Sequence, residues 1–296
     1  MTSDALYVCR WCNTSSDPRN LLSCPACGVP IDVRLMKTES GWTELPPIPD
    51  MARVQFGASS MQIEGRQVPV ADVNLAAGDS VYFTHHVLLW KQDGVTVKGM
   101  GLKGGWKRML AGLPLIMTQA AGPGRIAFSH DAAGEVLAIP LQRGQAIDVR
   151  EHLFMFASLS VAYDWFDPNV WFRTKQGDET ETHYPLGRLM DRFSAPQGPG
   201  LLVLHAPGNA FLRQLGQGES ILVKPTALIY KDPTVSAALH FEHPAGTWRS
   251  WRSWGDRYLW LRLTGPGRAA VQSAYGHFHD PGSNLVSSSP ATRRQW

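Results

Sequence analysis

Three segments of this chain align with one another without a gap, each around a glycine: Gly78, Gly144 and Gly218. Leu75, Leu141 and Leu215 stand three residues before the glycine, and Val81, Ile147 and Ile221 stand three residues after it. Phe83, Val149 and Val223 follow, then the runs Val87–Trp90, Leu153–Phe156 and Ala227–Tyr230, and finally Val95, Val161 and Val235. Self-similarity at a fixed period means that one supersecondary unit is used repeatedly, and it constrains the fold more than any local motif.

The unit reads as β-structure. Glycine in Ala77-Gly78-Asp79, Arg143-Gly144-Gln145 and Gln217-Gly218-Glu219 permits the positive φ of a hairpin turn. Alternation follows at once in Ile147-Asp148-Val149-Arg150 and Ser220-Ile221-Leu222-Val223, which places every second side chain on a buried face. Each unit also carries a Gly-Pro-Gly triplet, at 122–124, 198–200 and 265–267, followed by a strand-like run. Long amphipathic helices are not evident. The fold class predicted is all-β: three repeated β-sandwich units in a pseudo-threefold arrangement over residues 51–280, preceded by a small zinc ribbon.

The ribbon rests on cysteine spacing. All four cysteines fall early, as Cys9-x2-Cys12 and Cys24-x2-Cys27. Two residues between cysteines let a tight turn aim both thiolates at one point, and two such turns supply the four sulfurs of tetrahedral zinc. Paired disulfides are the other reading of the spacing, disfavoured in a reducing compartment. Residues 1–40 are too few to bury much apolar surface, so structural Zn2+ would supply their folding energy. Four thiolates leave no open coordination position for catalysis. Leu45-Pro46-Pro47-Ile48-Pro49 reads as a stiff, Pro-rich linker over residues 41–50, and residues 281–296 as a disordered tail.

Composition adds bounds. An apolar share of 44% with 18% charged residues belongs to a globular chain, and a net charge of +3 is too small to argue for nucleic acid. The N-terminus lacks a secretory pattern, and the longest uncharged stretch, Met109–Gly124, is too short and too broken by Gly and Pro to span a bilayer. The expectation is a cytoplasmic protein, with peripheral contact to a membrane as a further feature.

Three segments resemble one known family: Gly112–Phe128, Pro140-Leu141-Gln142-Arg143-Gly144 and Glu151–Val161. That family is altered inheritance of mitochondria protein twenty-four, which is also found in bacteria. The resemblance covers about residues 50–280. It implies three β-units like the subunit of the tryptophan RNA-binding attenuation protein, a homotrimer, and a non-enzymatic role in membrane organisation. It carries no catalytic residues over to this chain, and the ribbon lies outside the shared body.

Other motifs have plainer readings. Gly99-Met100-Gly101-Leu102-Lys103-Gly104 matches a dinucleotide fingerprint in letters only, because neither the strand–helix context nor the acidic partner follows. Trp106, Lys107 and Arg108 mix basic and aromatic character and suit a membrane surface or a docking contact. Trp248, Trp251 and Trp254, interleaved by Arg249 and Arg252, suit an interface, with nucleic-acid stacking as the alternative. His85-His86, His240 with His243, and His277 with His279 read as scattered, satisfied histidines rather than a metal centre. The expected function is a non-enzymatic scaffold or adaptor in stress response or membrane organisation, whose ribbon recruits a protein partner. Nucleic-acid binding through the ribbon and the Trp/Arg segment is the alternative.

Overall fold

The structure is a computed structural model that describes residues 7–8, 14–16, 23–28, 38, 40–45, 48, 50–101, 117–242, 258–276, 284–289 and 293–294. Among the described residues every long element is a β-strand, as expected, and the only helical pieces are 3-10 turns at His85–Val87 and Pro225–Ala227.

Each repeat contributes six strands. Unit one has Val70–Leu75, Ser80–Thr84, Leu88–Lys91, Thr96–Gly99, Met117–Ala121 and Gly124–Ser129. Unit two has Gly134–Leu141, Ala146–Arg150, Phe154–Ser158, Ala162–Phe166, Met190–Ser194 and Gly200–Pro207. Unit three has Ala210–Leu215, Ser220–Val223, Leu228–Lys231, Ser236–Glu242, Tyr258–Thr264 and Gly267–Gln272. In every unit the sixth strand pairs with the first and third, and the fifth with the second and fourth, all antiparallel.

Small details repeat too. The turn at the key glycine is closed by Asp79 N to Ala76 O (3.1 Å), Gln145 N to Gln142 O (2.9 Å) and Glu219 N to Gly216 O (3.2 Å). The turn after the third strand is closed by Val95, Val161 and Val235, each donating its N–H three residues back at 3.0 Å. Gly78, Gly144 and Gly218 have φ of 86°, 83° and 73°, the left-handed region that glycine enters without strain.

The units join by sharing sheets. The third strand of unit two pairs with the second strand of unit one, so Phe156 faces Phe83, Ala157 faces Tyr82 and Ser158 faces Val81. The third strand of unit three pairs likewise with the second of unit two, where Tyr230 faces Val149 and Lys231 faces Asp148. The result is a six-stranded sheet shared by units one and two and a seven-stranded sheet shared by units two and three. A five-stranded sheet flanks unit one, and a four-stranded sheet flanks unit three. Three apolar cores fill the sandwiches, one per unit: around Val81, Phe83 and Phe128; around Ile147, Val149 and Phe193; and around Leu228, Leu239 and Leu261.

A bulge recurs at each third strand. Pairing with the sixth strand skips Leu89, Met155 and Ile229, which occupy equivalent places in the three runs. A bulge turns its extra side chain out of the regular alternation. Met155 enters the core of unit one and Ile229 the core of unit two, each the core of the preceding unit.

Threefold closure, in contrast, is not formed. Leu88–Lys91 and Ser220–Val223, the two strands that a closed ring of three units would pair, each stand at the edge of a sheet. Among the described residues the units run in series and the two end strands stand open.

Three further segments complete the body. Arg53–Phe56 and Ser59–Glu64 form a hairpin on the first strand of unit one. Phe172–Gln176 and Glu179–His183 form a hairpin inserted in unit two. The C-terminal residues, expected to be disordered, supply Asn284–Ser288 against that hairpin and Arg293–Arg294 along Ser236–Glu242. Covering sheet edges is what such short strands do. The segment read as a linker is also seated on the body: Thr43–Glu44 pairs with Phe211–Leu212.

Candidate interaction surfaces

The open ends follow directly from the series of bulges. Met155 and Ile229 are fully buried because a preceding unit receives them. Leu89 has no preceding unit and is 55% exposed, and its neighbour Trp90 is 41% exposed where the equivalent Phe156 and Tyr230 are buried. At the other end, Leu222 is 38% exposed where the equivalent Tyr82 and Asp148 are buried. Among the described residues each terminal strand thus presents unpaired backbone together with apolar side chains, which is a template for strand addition.

The two internal seams show what such an edge accepts. One is apolar, with Phe83 and Phe156 packed into the unit-one core. The other is ionic: Asp148, with no exposure, accepts from Arg192 Nε at 2.6 Å, Arg192 Nη2 at 3.0 Å and Lys231 Nζ at 2.9 Å. The Asp148 carboxylate holds the Arg192 guanidinium above its ordinary range. Between the sheets, burial pushes the Tyr82 hydroxyl up, and the Asp191 charge adds to it.

A groove of about 720 Å³ opens beside the first seam. Ile48, Phe56, Pro140 and Leu159 give it an apolar wall, and Asp79 and Ser160 a few polar atoms. Asp79 accepts from Ser59 Oγ at 2.6 Å, so the carboxylate is already engaged.

At the N-terminus, Tyr7–Val8 and Ser15–Ser16 pair as a hairpin, and Cys9 and Cys12 fall between them in the chain. Cys9 and Cys12 themselves lie outside the described residues. The Cys24–Gly28 segment is a turn: Gly28 N donates to Cys24 O at 2.8 Å and Gly28 has φ of 72°. Cys24 is buried and Cys27 exposed. Among the described residues, no group of three or more His, Cys, Asp or Glu is placed to hold a metal ion.

Residues 61–274 match the model of the family described as Mitochondrial biogenesis AIM24. The chain belongs to that family. The AIM24 match spans all three units and stops short of the cysteines. Among solved structures, protein SPYM3_0169 from Streptococcus pyogenes is similar at 17% identity and a TM-score of 0.52, over 73% of this chain and 94% of that one. At that identity the likeness concerns the fold alone. No curated protein matches the chain.

The residues expected at an interaction surface, Trp106, Lys107, Arg108, Trp248, Arg249, Trp251, Arg252 and Trp254, lie outside the described residues. Tyr258 and Trp260 follow the second of these segments, and Lys224 Nζ stands 4.3 Å from the Trp260 ring centroid and 5.2 Å from that of Tyr258. Desolvation lowers the affinity of that amine for its proton. Sequence reading missed both this cation–π stack and the open ends. The ends had no signal in the residues: Leu89 and Trp90 are exposed while Met155, Phe156, Ile229 and Tyr230 are buried, and that depends only on which unit comes first.

Proposed function

We propose that the chain is a non-enzymatic scaffold that assembles end to end with copies of itself and carries a zinc ribbon for recruiting a protein partner. The observation that supports it is the pair of open strands with exposed Leu89, Trp90 and Leu222. Copying the internal seams, Trp90 of one copy faces Val223 of the next, and Lys91 faces Leu222. A head-to-tail contact of this kind generates a ring when the rotation closes, and a homotrimer is the ring expected here. The setting proposed is membrane organisation or stress response, and the family's description as one of mitochondrial biogenesis supports no finer assignment. Among the described residues no helix is long and apolar enough to cross a membrane, so contact with a bilayer would be peripheral.

Zinc fits the donor set. Cys9, Cys12, Cys24 and Cys27 would hold it, and the tight backbone turn at Cys24–Gly28 supports the reading. The metal would supply the folding energy that so short a segment lacks.

The test is sedimentation of the full chain beside Leu89→Asp and Trp90→Lys variants. The scaffold reading expects a homo-oligomer for the parent and monomers for the variants with unchanged circular dichroism. A monomeric parent at micromolar concentration would sink it, and nuclease-sensitive material on the purified chain would move nucleic-acid binding ahead.

A further inference from the structure

Five of the chain's ten histidines, far apart in sequence, meet where unit one joins unit two. His85 and His86 sit in the 3-10 turn that leads from the second strand of unit one to its third. His152 holds the matching place in unit two, His130 lies in the link between the units, and His205 is in the sixth strand of unit two. The rings form a chain. His85 to His86 is 5.8 Å and His86 to His130 is 5.9 Å, both edge to face, and His130 stacks on His205 at 4.7 Å within 9° of parallel.

Their hydrogen bonds assign the tautomers. His130 Nε2 meets the His152 carbonyl at 2.6 Å and His205 Nε2 meets the Ala132 carbonyl at 3.0 Å, so each of those nitrogens carries the proton. His205 Nδ1 is buried with no hydrogen-bond partner. A neutral imidazole leaves a bare lone pair there. Protonation would place an N–H and a charge in a site with no acceptor.

The groups acting on these rings are other histidines. His130, His85 and His152 act on His86, and His130 acts on His205. Three carboxylates are neighbours in the chain: Glu135, Glu151 and Asp131. Glu135 accepts from Asn209 Nδ2 at 2.9 Å and Ala210 N at 3.2 Å, Glu151 lies against Gly187, and Asp131 is exposed. No set of three or more among the described residues is placed for a metal ion.

The cluster caps one end of the seam. Thr84 Oγ1, next to His85, donates to Phe154 O at 3.4 Å, and His205 N donates to Leu153 O at 2.8 Å. Beyond them run the facing pairs Phe83 with Phe156 and Tyr82 with Ala157.

We infer that this cluster is an acid-sensitive latch: neutral imidazoles hold units one and two together, and proton uptake drives the rings apart and loosens their shared seam. Burial, and then the neighbouring His130, push the proton affinity of His205 down to about 4, and burial with the three neighbours lowers that of His86. A group depressed in the folded state contributes stability that is full above its unfolded value, about 6.5, and is lost as pH falls toward the folded one.

Native-state hydrogen exchange on the full chain at pH 7.5, 6 and 5, corrected for intrinsic rates, tests it. Amides of Ser80–Thr84 and Phe154–Ser158 are expected to lose about tenfold or more in protection across that range. Those of Ala146–Arg150 and Leu228–Lys231, at the seam built on Asp148, should not change. His205→Gln removes the ring whose Nδ1 is buried without an acceptor and should remove most of the pH effect, while His130→Gln, which keeps a donor for the His152 carbonyl, should remove part of it. Equal loss at both seams, or an undiminished pH effect in His205→Gln, would overturn the latch.

Discussion

Gly144 and Asp148 sit a few residues apart in the same repeat, and they are constrained by different physics. Gly144 has φ of 83°, and a Cβ built there meets nothing within 4 Å. Its constraint is backbone conformation, not space. Gly144→Val is therefore expected to cost more than about 1 kcal/mol, while Gly144→Asn costs less because asparagine tolerates that region. Urea midpoints compare the two, and equal midpoints would place the cost elsewhere. Asp148 is constrained by its partners. Removing its charge in Asp148→Asn leaves Lys231 buried beside a neutral group, expected to cost about 3 kcal/mol or more. The paired change Asp148→Leu with Lys231→Met should recover much of that loss, because the desolvation of both ions goes with it. His205 links the residue scale to pH: a shift to about 4 corresponds to about 3 kcal/mol of stability present above pH 6.5 and lost on acidification. Denaturant titrations of the parent and His205→Gln at pH 7.5 and 4.5 read the difference.

At the scale of the strand, one bulge position has two fates. Met155→Ala empties a site in the unit-one core and is expected to cost about 2–5 kcal/mol. Leu89→Ala at the equivalent place should change monomer stability by about 0.5 kcal/mol or less, since that side chain is 55% exposed. Thermal melts under monomeric conditions separate the two, and a large loss in Leu89→Ala would mean the edge is covered. This contrast also marks the limit of what the sequence disclosed. Spacing located the turns at Gly78, Gly144 and Gly218, the strands that follow each Gly-Pro-Gly triplet and the buried valines, because those depend on local geometry and a period of two. It did not disclose the bulges, since a bulge shows only against its partner strand. Nor did it separate exposed Leu89 from buried Met155, which carry the same pattern and differ only in whether a unit precedes them. His85 and His86 read as scattered for the same reason, and His130, His152 and His205 carried no signal of their own: each is isolated in the chain until the turns of two units are superposed. Asn284–Ser288 was read as tail because its pairing with Phe172–Gln176 spans more than a hundred residues of chain.

For the whole molecule, the segment entering the body matters more than its proline content suggests. Trp42 packs against the core of unit three, Leu45 against that of unit two and Ile48 against that of unit one. Three residues of extended chain cover about 10 Å, so side chains three positions apart along the segment reach three different cores. Leu45 N donates to Ala210 O at 2.8 Å, and the Arg213 guanidinium lies 6.0 Å from the Trp42 ring. The segment behaves as a strap across the series rather than as a spacer. Ribbon and strap should consequently have separable effects on stability. On the proposed zinc ribbon, Cys24→Ser or treatment with a zinc chelator is expected to unfold residues 1–40 and leave the main melting transition in place, because the strap's contacts belong to the body. Extending the loss to Trp42→Ala and Leu45→Ala should lower that transition by several degrees, at about 2–4 °C for each kcal/mol in a body of this size. Calorimetry of the three proteins distinguishes the outcomes. A main transition that falls with Cys24→Ser alone would make the ribbon part of the body's own core.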